Sequence, residues 1–203
     1  VRVWVECPVS ELLDGKTKAE CEAFAQRFEQ AVRISQLDVS RAVTHNKGIF
    51  TSIDALAVAT GNDFRAIEAC GHAFASRNGQ YSGLTDVQIQ DGKFRFSIEL
   101  ALAVGVVGGV TSVHPMAKLA MKILDNPSAK ELMTYLAVAG LASNFAAVKA
   151  LVSVGIQKGH MKMHLSNIMN QLQIPEEKRA EIQEYFQDKT VSFSDVENYW
   201  KSI

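Results

Sequence analysis

The first seven positions, Val1-Arg2-Val3-Trp4-Val5-Glu6-Cys7, read as an alternating strand. Thr17-x-x-Glu20 then forms a capping-box signature, and Cys21, Phe24, Ala25, Phe28, Ala31 and Val32 line one face of an amphipathic helix. A polar cluster at 41–47 follows, read as a loop leading into a more apolar helix from about 48 to 60, with Gly61 as its stop. Asp63 opens a third helix that reaches about Ser76. Residues 87–98 alternate on both sides of Asp91-Gly92, a pair suited to a type I′ turn, and predict a hairpin. Ser128-x-x-Glu131 caps a long, almost uncharged helix expected to end near 155. Beyond it the chain turns more charged, with short helices predicted around 161–171, 175–188 and 194–201. The fold class expected is α+β: a helix-rich core around a long buried central helix, a small antiparallel sheet, and a C-terminal helical appendage able to move against the core.

Composition narrows the function classes. The chain has 203 residues, 47% of them hydrophobic, enough for one good core plus a small appendage. A net charge of −1 offers no basic footprint for nucleic acid or an anionic membrane. Cys7, Cys21 and Cys70 are an odd number without C-x-x-C spacing, which suits a reducing cytoplasm rather than a disulfide framework. Residues 132–148 carry no formal charge and approach the ~18 residues of a membrane span. Thr134, Gly140, Ser143 and Asn144 within them fit a helix buried in protein, so no membrane partner is expected. The chain opens without a methionine, already inside a strand, and is expected to be part of something longer. The run Gly105-Val-Val-Gly108-Gly109 does not match the dinucleotide-binding G-x-G-x-x-G.

The chemistry concentrates at Arg41-Ala-Val-Thr-His45-Asn46-Lys47-Gly48, which puts a guanidinium, an imidazole, an amide and an ammonium into eight positions. Arginine can grip a carboxylate with two parallel hydrogen bonds, and a lysine in a dry pocket can steady negative charge as it develops. A polar loop entering a helix accounts for the same residues on composition alone. Asp63, following Gly61, reads from the residues alone first as a helix N-cap, and a functional carboxylate can serve as one too. His160 and His164 stand i, i+4, a spacing that can hold a metal, but no third ligand accompanies them and no metal site is expected.

Four segments taken together resemble the bacterial-type (class II) 3-hydroxy-3-methylglutaryl-coenzyme A (HMG-CoA) reductase family. They are Arg41-Ala-Val-Thr-His-Asn-Lys47-Gly-Ile, Ala59-Thr-Gly-Asn-Asp63-x-Arg65-Ala-Ile-Glu68, Gly140-Leu-Ala-x-Asn144-Phe-Ala-Ala-Val-Lys-Ala-Leu151, and Gly155-Ile-Gln-Lys-Gly-His160-Met. The resemblance implies NADH- or NADPH-dependent reduction of the HMG-CoA thioester to mevalonate and free coenzyme A, or the reverse reaction. It implies Lys47, Asp63 and His160 as catalytic residues, and Arg41 as a contact to the acyl carboxylate. His45, Asn46, Thr51, Ser143 and Asn144 join Arg41 as substrate-site candidates. It implies a homodimer with its active site at the subunit interface, in the cytoplasm. Residues 1–156 would be the C-terminal part of the large substrate-binding domain, and 157–203 a helical flap.

The family pattern breaks in places. Thr51-Ser52 stands where the family usually has Asn-Gly, and Ser143 where a glutamine commonly precedes the Asn-Phe-Ala-Ala segment. A threonine hydroxyl can hydrogen-bond but cannot reproduce both edges of an amide. The family's small dinucleotide-binding domain, with its Asp-Ala-Met-Gly motif, and its catalytic glutamate are absent from these residues, so the chain alone is expected to be inactive. The alternative from another class is a non-catalytic CoA-thioester-binding or assembly module of the same fold.

Overall fold

The computed structural model describes the backbone of residues 1–153, 156–187, 189 and 191–203, and their side chains except at 156–163. It divides into two compact units, Val1–Val152 and Ser153–Ile203. In the first unit, β1 (Arg2–Pro8) leads to α1 (Lys18–Leu37), α2 (Val39–Ala59) and α3 (Phe64–Ala75). A hairpin of β2 (Thr85–Gln90) and β3 (Lys93–Glu99) follows, then α4 (Gly109–Val113), α5 (Pro115–Ile123) and α6 (Ala129–Val152).

Local chemistry explains most of these boundaries. Thr17 and Glu20 close the capping box on α1, each side chain meeting the other's backbone N–H. Ser128 and Glu131 form the same reciprocal pair ahead of α6. Asp91 and Gly92 both take positive φ, 52° and 72°, as a type I′ turn requires. The sheet order is β1-β3-β2, all antiparallel, with Thr85 opposite Ile98 and Val87 opposite Phe96.

Three elements differ from the sequence reading. The polar cluster at 41–48 is not a loop. Asp38 accepts a hydrogen bond from the Arg41 N–H at 2.6 Å and starts α2 at Val39, so the whole cluster is helical. Asp38 itself is the residue that ends α1, and two helices sharing one capping residue leave no loop for a pattern reading to find. The long apolar helix closes at Val152 rather than near 155. Helix α5, whose first position is Pro115, had no counterpart in the periodicity reading.

The core forms where α2 and α6 cross between α1 and the sheet. Phe24, Phe28, Ile49, Phe50, Ile53, Phe94, Phe96, Leu132 and Leu136 are all essentially inaccessible there. Phe28 sits edge-on to both Phe94 and Phe96, with ring centroids 5.4 and 5.2 Å away. Helix α6 is long and apolar enough to cross a membrane by length and composition, yet Leu132, Leu136, Ala137, Leu141 and Val148 are buried in this protein core. Gly140 allows the close crossing, since a Cβ there would lie 2.9 Å from Ile53 Cδ1 and 3.0 Å from Ile49 Cγ2.

The second unit contains α7 (Ile156–Gln171), α8 (Glu176–Tyr185) and α9 (Phe193–Ser202). It has its own core of Leu165, Ile168, Met169, Ile174, Ile182, Phe186, Val191 and Val196. Tyr185 stacks on Tyr199 at 3.8 Å, and Lys189 Nζ lies 3.2 Å above the Tyr185 ring.

Two glycines on neighbouring helices should respond in opposite directions to alanine. A Cβ at Gly71 would fall 2.2 Å from Phe50 Cζ, whose ring is fully buried, while one at Gly48 meets nothing within 4 Å. Gly71→Ala should therefore lose about 1–3 kcal/mol despite alanine's better helix propensity. Gly48→Ala should gain about 0.5–1 kcal/mol. Urea unfolding monitored by circular dichroism reads both.

Candidate active site

Helix α2 carries five of the sequence-predicted residues and sorts them by angle. At 100° per residue, His45 and Lys47 are 200° apart and face opposite ways, while Lys47, Thr51 and Asp54 share one side at i, i+4, i+7. The burial follows that geometry. His45 and Asn46 are 2% and 0% exposed, whereas Lys47 and Thr51 are exposed and Arg41 and Asp54 are half-buried.

The buried side is held by polar contacts on both flanks. Asn46 donates from Nδ2 to the Ser82 carbonyl at 2.9 Å and accepts at Oδ1 from the Leu84 N–H at 3.0 Å. Both edges of its amide are thus used to dock α2 on the segment entering β2. From α6, Asn144 Nδ2 donates to the His45 carbonyl at 3.4 Å, and Ser143 Oγ donates to the Gly48 carbonyl at 3.3 Å. Thr51 Oγ1 donates to the Lys47 carbonyl at 3.0 Å. Three carbonyls around Lys47 therefore receive a side-chain hydrogen bond. His45 Nε2 lies 2.6 Å from Thr85 Oγ1, and Thr85 in turn donates to Asn144 Oδ1 at 3.3 Å.

Two titratable groups on α2 are displaced from their usual ranges. Burial, reinforced by the nearby Arg41 charge, pushes the His45 pKa down to about 4 and keeps the ring neutral at physiological pH. Burial and the Glu68 carboxyl on α3 push Asp54 up to about 6. His45 Nδ1 and Asp54 Oδ1 are buried without a hydrogen-bond partner.

Asp63 is both exposed and engaged. Its carboxylate caps α3 through the Arg65 and Ala66 N–H groups and pairs with Arg65 Nε at 3.2 Å. The hydrogen bond from the Arg65 side chain, with those two backbone bonds, holds its pKa below the usual carboxylate value. Among the described residues no ion pair joins Asp63 to Lys47. The structure thus brings together Arg41, His45, Asn46, Lys47, Thr51, Ser143 and Asn144 along α2, and leaves Asp63 at the head of α3. The side chain of His160 lies outside the described residues. Among the described residues no group of three His, Cys, Asp or Glu is arranged to hold a metal, and Cys7, Cys21 and Cys70 are free thiols.

Thr85 and the Asp54–Glu68 pair were not among the sequence candidates. Thr85 was detectable: it stands in phase with Val87 and Ile89 on the inward side of β2, a polar residue in an apolar register. The carboxyl pair offered no such signal, because its members come from different helices.

A helix with a locked polar inner side and an outward lysine, crossed by a long apolar helix beside a three-stranded sheet, is the arrangement on which known proteins can be compared. The family model for hydroxymethylglutaryl-coenzyme A reductase matches residues 3–165. The chain is 48% identical over 159 residues to the 3-hydroxy-3-methylglutaryl-coenzyme A reductase of Archaeoglobus fulgidus, covering 78% of this chain and 35% of that protein. Among solved structures, the enzyme from Streptococcus pneumoniae superposes with a TM-score of 0.73 at 37% identity, covering 99% of this chain and 48% of the other. A second structure, the class II enzyme of that organism bound to NADPH in open conformations, gives 0.72 at 38% identity, covering 99% and 49%. The chain belongs to the hydroxymethylglutaryl-coenzyme A reductase family and is similar to a class II structure of it. It spans about a third of the length of the curated relative and about half of the solved chains.

The two displaced pKa values predict opposing pH effects on stability. Below about pH 6.5 the unfolded chain protonates His45 while the folded chain refuses the proton until about pH 4, so this group destabilises as pH falls. Folded Asp54 keeps its proton up to about pH 6, but the unfolded chain loses it near 3.8, so this group destabilises as pH rises. Between about pH 4.5 and 6 the slopes oppose each other. Asp54→Asn should make stability climb with pH in that window, and His45→Gln should make it decline. Thermal midpoints measured across the range check the signs, and unchanged profiles in both variants would refute the assignment.

Proposed function

We propose that this chain provides the acyl-handling surface of an HMG-CoA reductase, in which Lys47, Asp63 and His160 act on the thioester of HMG-CoA. The observation that carries the reading is the exposed Lys47 on a helix whose other side is fixed by His45, Asn46, Ser143 and Asn144, in a chain of this family. Two molecules of NADH or NADPH would in turn each supply a hydride when bound, as reduction of a thioester to an alcohol requires. The thioester carbonyl oxygen would gain negative charge as hydride arrives, and the Lys47 ammonium is the group assigned to stabilise it. Arg41, six residues earlier on the same helix, can grip the terminal carboxylate of the acyl group. Asp63 pairs with Arg65 at an exposed site, where solvent screens the attraction, so its carboxylate is free to exchange partners when substrate arrives. As the C–S bond breaks, His160 gives its proton to the departing coenzyme A thiolate, for which an imidazole is suited near neutral pH.

The dinucleotide is assigned to no residue of this chain. The glycine run at 105–109 leads into the five-residue α4, too short to offer the phosphate-binding start of a Rossmann helix. These residues would therefore work within a complete polypeptide that carries a dinucleotide-binding domain, as a homodimer in the cytoplasm with the site at the subunit interface.

The test is to follow NADH and NADPH oxidation with HMG-CoA in that complete polypeptide. Lys47→Ala and His160→Ala should each lower kcat at least 100-fold, and Thr51→Asn should raise kcat/KM by restoring a two-edged amide beside Lys47. Tight HMG-CoA binding by the wild type without turnover would overturn the reading in favour of a non-catalytic thioester-binding module.

A further inference from the structure

The hydrogen atoms of the His45–Thr85–Asn144 ring can be placed by elimination. Asn144 faces the His45 carbonyl with one end of its amide and Thr85 with the other. A carbonyl only accepts, so the NH2 end must point at His45 and Oδ1 at Thr85. Oδ1 also only accepts, so the single Thr85 hydroxyl proton is committed to Asn144. Thr85 Oγ1 is then left to accept, and its other partner, His45 Nε2 at 2.6 Å, must carry a proton. The burial that keeps the ring neutral leaves that proton on Nε2 alone. The unpartnered Nδ1 is therefore a bare lone pair, not an orphaned N–H. One backbone carbonyl on α2 thus dictates the tautomer of the side chain on the same residue, by way of α6 and β2.

The ring is closed and dry: His45, Thr85 and Asn144 are each at most 2% exposed. It ties three elements, α2, β2 and α6, at the residue two positions before Lys47. Thr85 is the member through which both side-chain links pass. If its hydroxyl is removed, the His45 N–H and the Asn144 carbonyl oxygen each lose a buried partner, and the cost is relieved by movement of α2 around that turn.

We propose that Thr85 is a positioning residue for Lys47, its hydroxyl holding the Lys47 turn of α2 in register with α6 and β2. The role rests on the reading that Lys47 acts on a thioester carbonyl, a step sensitive to displacement because ~1 Å can cost about 100-fold in rate. Thr85 touches neither substrate nor Lys47, and its effect is exerted through His45 and Asn144.

The experiment compares wild type, Thr85→Val and Thr85→Ser in the complete polypeptide, with three readouts. In steady-state kinetics, Thr85→Val should lower kcat by about 10- to 100-fold while KM for HMG-CoA changes less than about 2-fold, and Thr85→Ser should recover to within about 3-fold of wild type. In 13C NMR of the reductively methylated protein, the Lys47 signal, assigned by its loss in Lys47→Arg, should move in Thr85→Val and return in Thr85→Ser. In 15N NMR of the wild type at neutral pH, His45 should carry its proton on Nε2. Thr85→Ser as impaired as Thr85→Val, an unmoved Lys47 signal in Thr85→Val, or a His45 proton on Nδ1 would each overturn the proposal. The tautomer is read on the wild type, so that arm decides even if Thr85→Val does not fold. A wild type that never reduces HMG-CoA sinks the reductase reading, while the Lys47 signal still tests the positioning.

Discussion

The crossing of α2 and α6 is the constraint on which the rest of the first unit depends. Gly140 lets the two backbones approach, and Ile49 and Ile53 occupy the space where its side chain would be. At that separation α6 reaches α2 with polar groups as well as apolar ones. Asn144 and Ser143, a turn further along from Gly140, then find the His45 and Gly48 carbonyls within hydrogen-bond distance. A wider crossing would leave a buried amide without partners, at a cost of roughly 1–3 kcal/mol. Close packing and polar satisfaction are therefore one requirement, and it is met beside Lys47.

The division of labour on α2 follows from this. Its inner side has no freedom, because His45, Asn46, Ile49, Phe50 and Ile53 are all fully enclosed. Its outer side holds the groups suited to a charged ligand. Asp54 and Glu68 extend that side toward α3, where two carboxyl groups close together disfavour double ionisation. Lys47, Thr51 and Asp54 share one stripe of α2, but only the inner residues determine where the stripe points.

Much of the architecture was legible because it rests on local chemistry. The capping boxes at Thr17 and Ser128 and the Asp91-Gly92 turn need only a few adjacent residues, and each was found where the sequence put it. The start of α2 was misread because Asp38 serves two helices at once, and a polar run in a helix looks like a loop when its buried members are polar. His45 and Asn46 occupy core positions without being apolar, which defeats a periodicity argument built on hydrophobicity. Lys47 and Arg41 could be singled out from residue type and family likeness, but their partners could not. Thr85 and Ser82 meet α2 across separations of 40 and 36 residues, and Glu68 meets it from a different helix, so only the tertiary fold brings them in.

The hairpin turn has a reach beyond the sheet. Asp91 and Gly92 are exposed, yet their two-residue geometry fixes which side of β2 faces inward. Thr85 stands six positions upstream in that ladder, paired with Ile98. A single inserted residue at the turn could shift the pairing by one, rotate Thr85 outward and present Asp86 to the core in its place. The tolerance of the chemistry to insertion is thereby written into a surface loop that no map of ligand contacts would include.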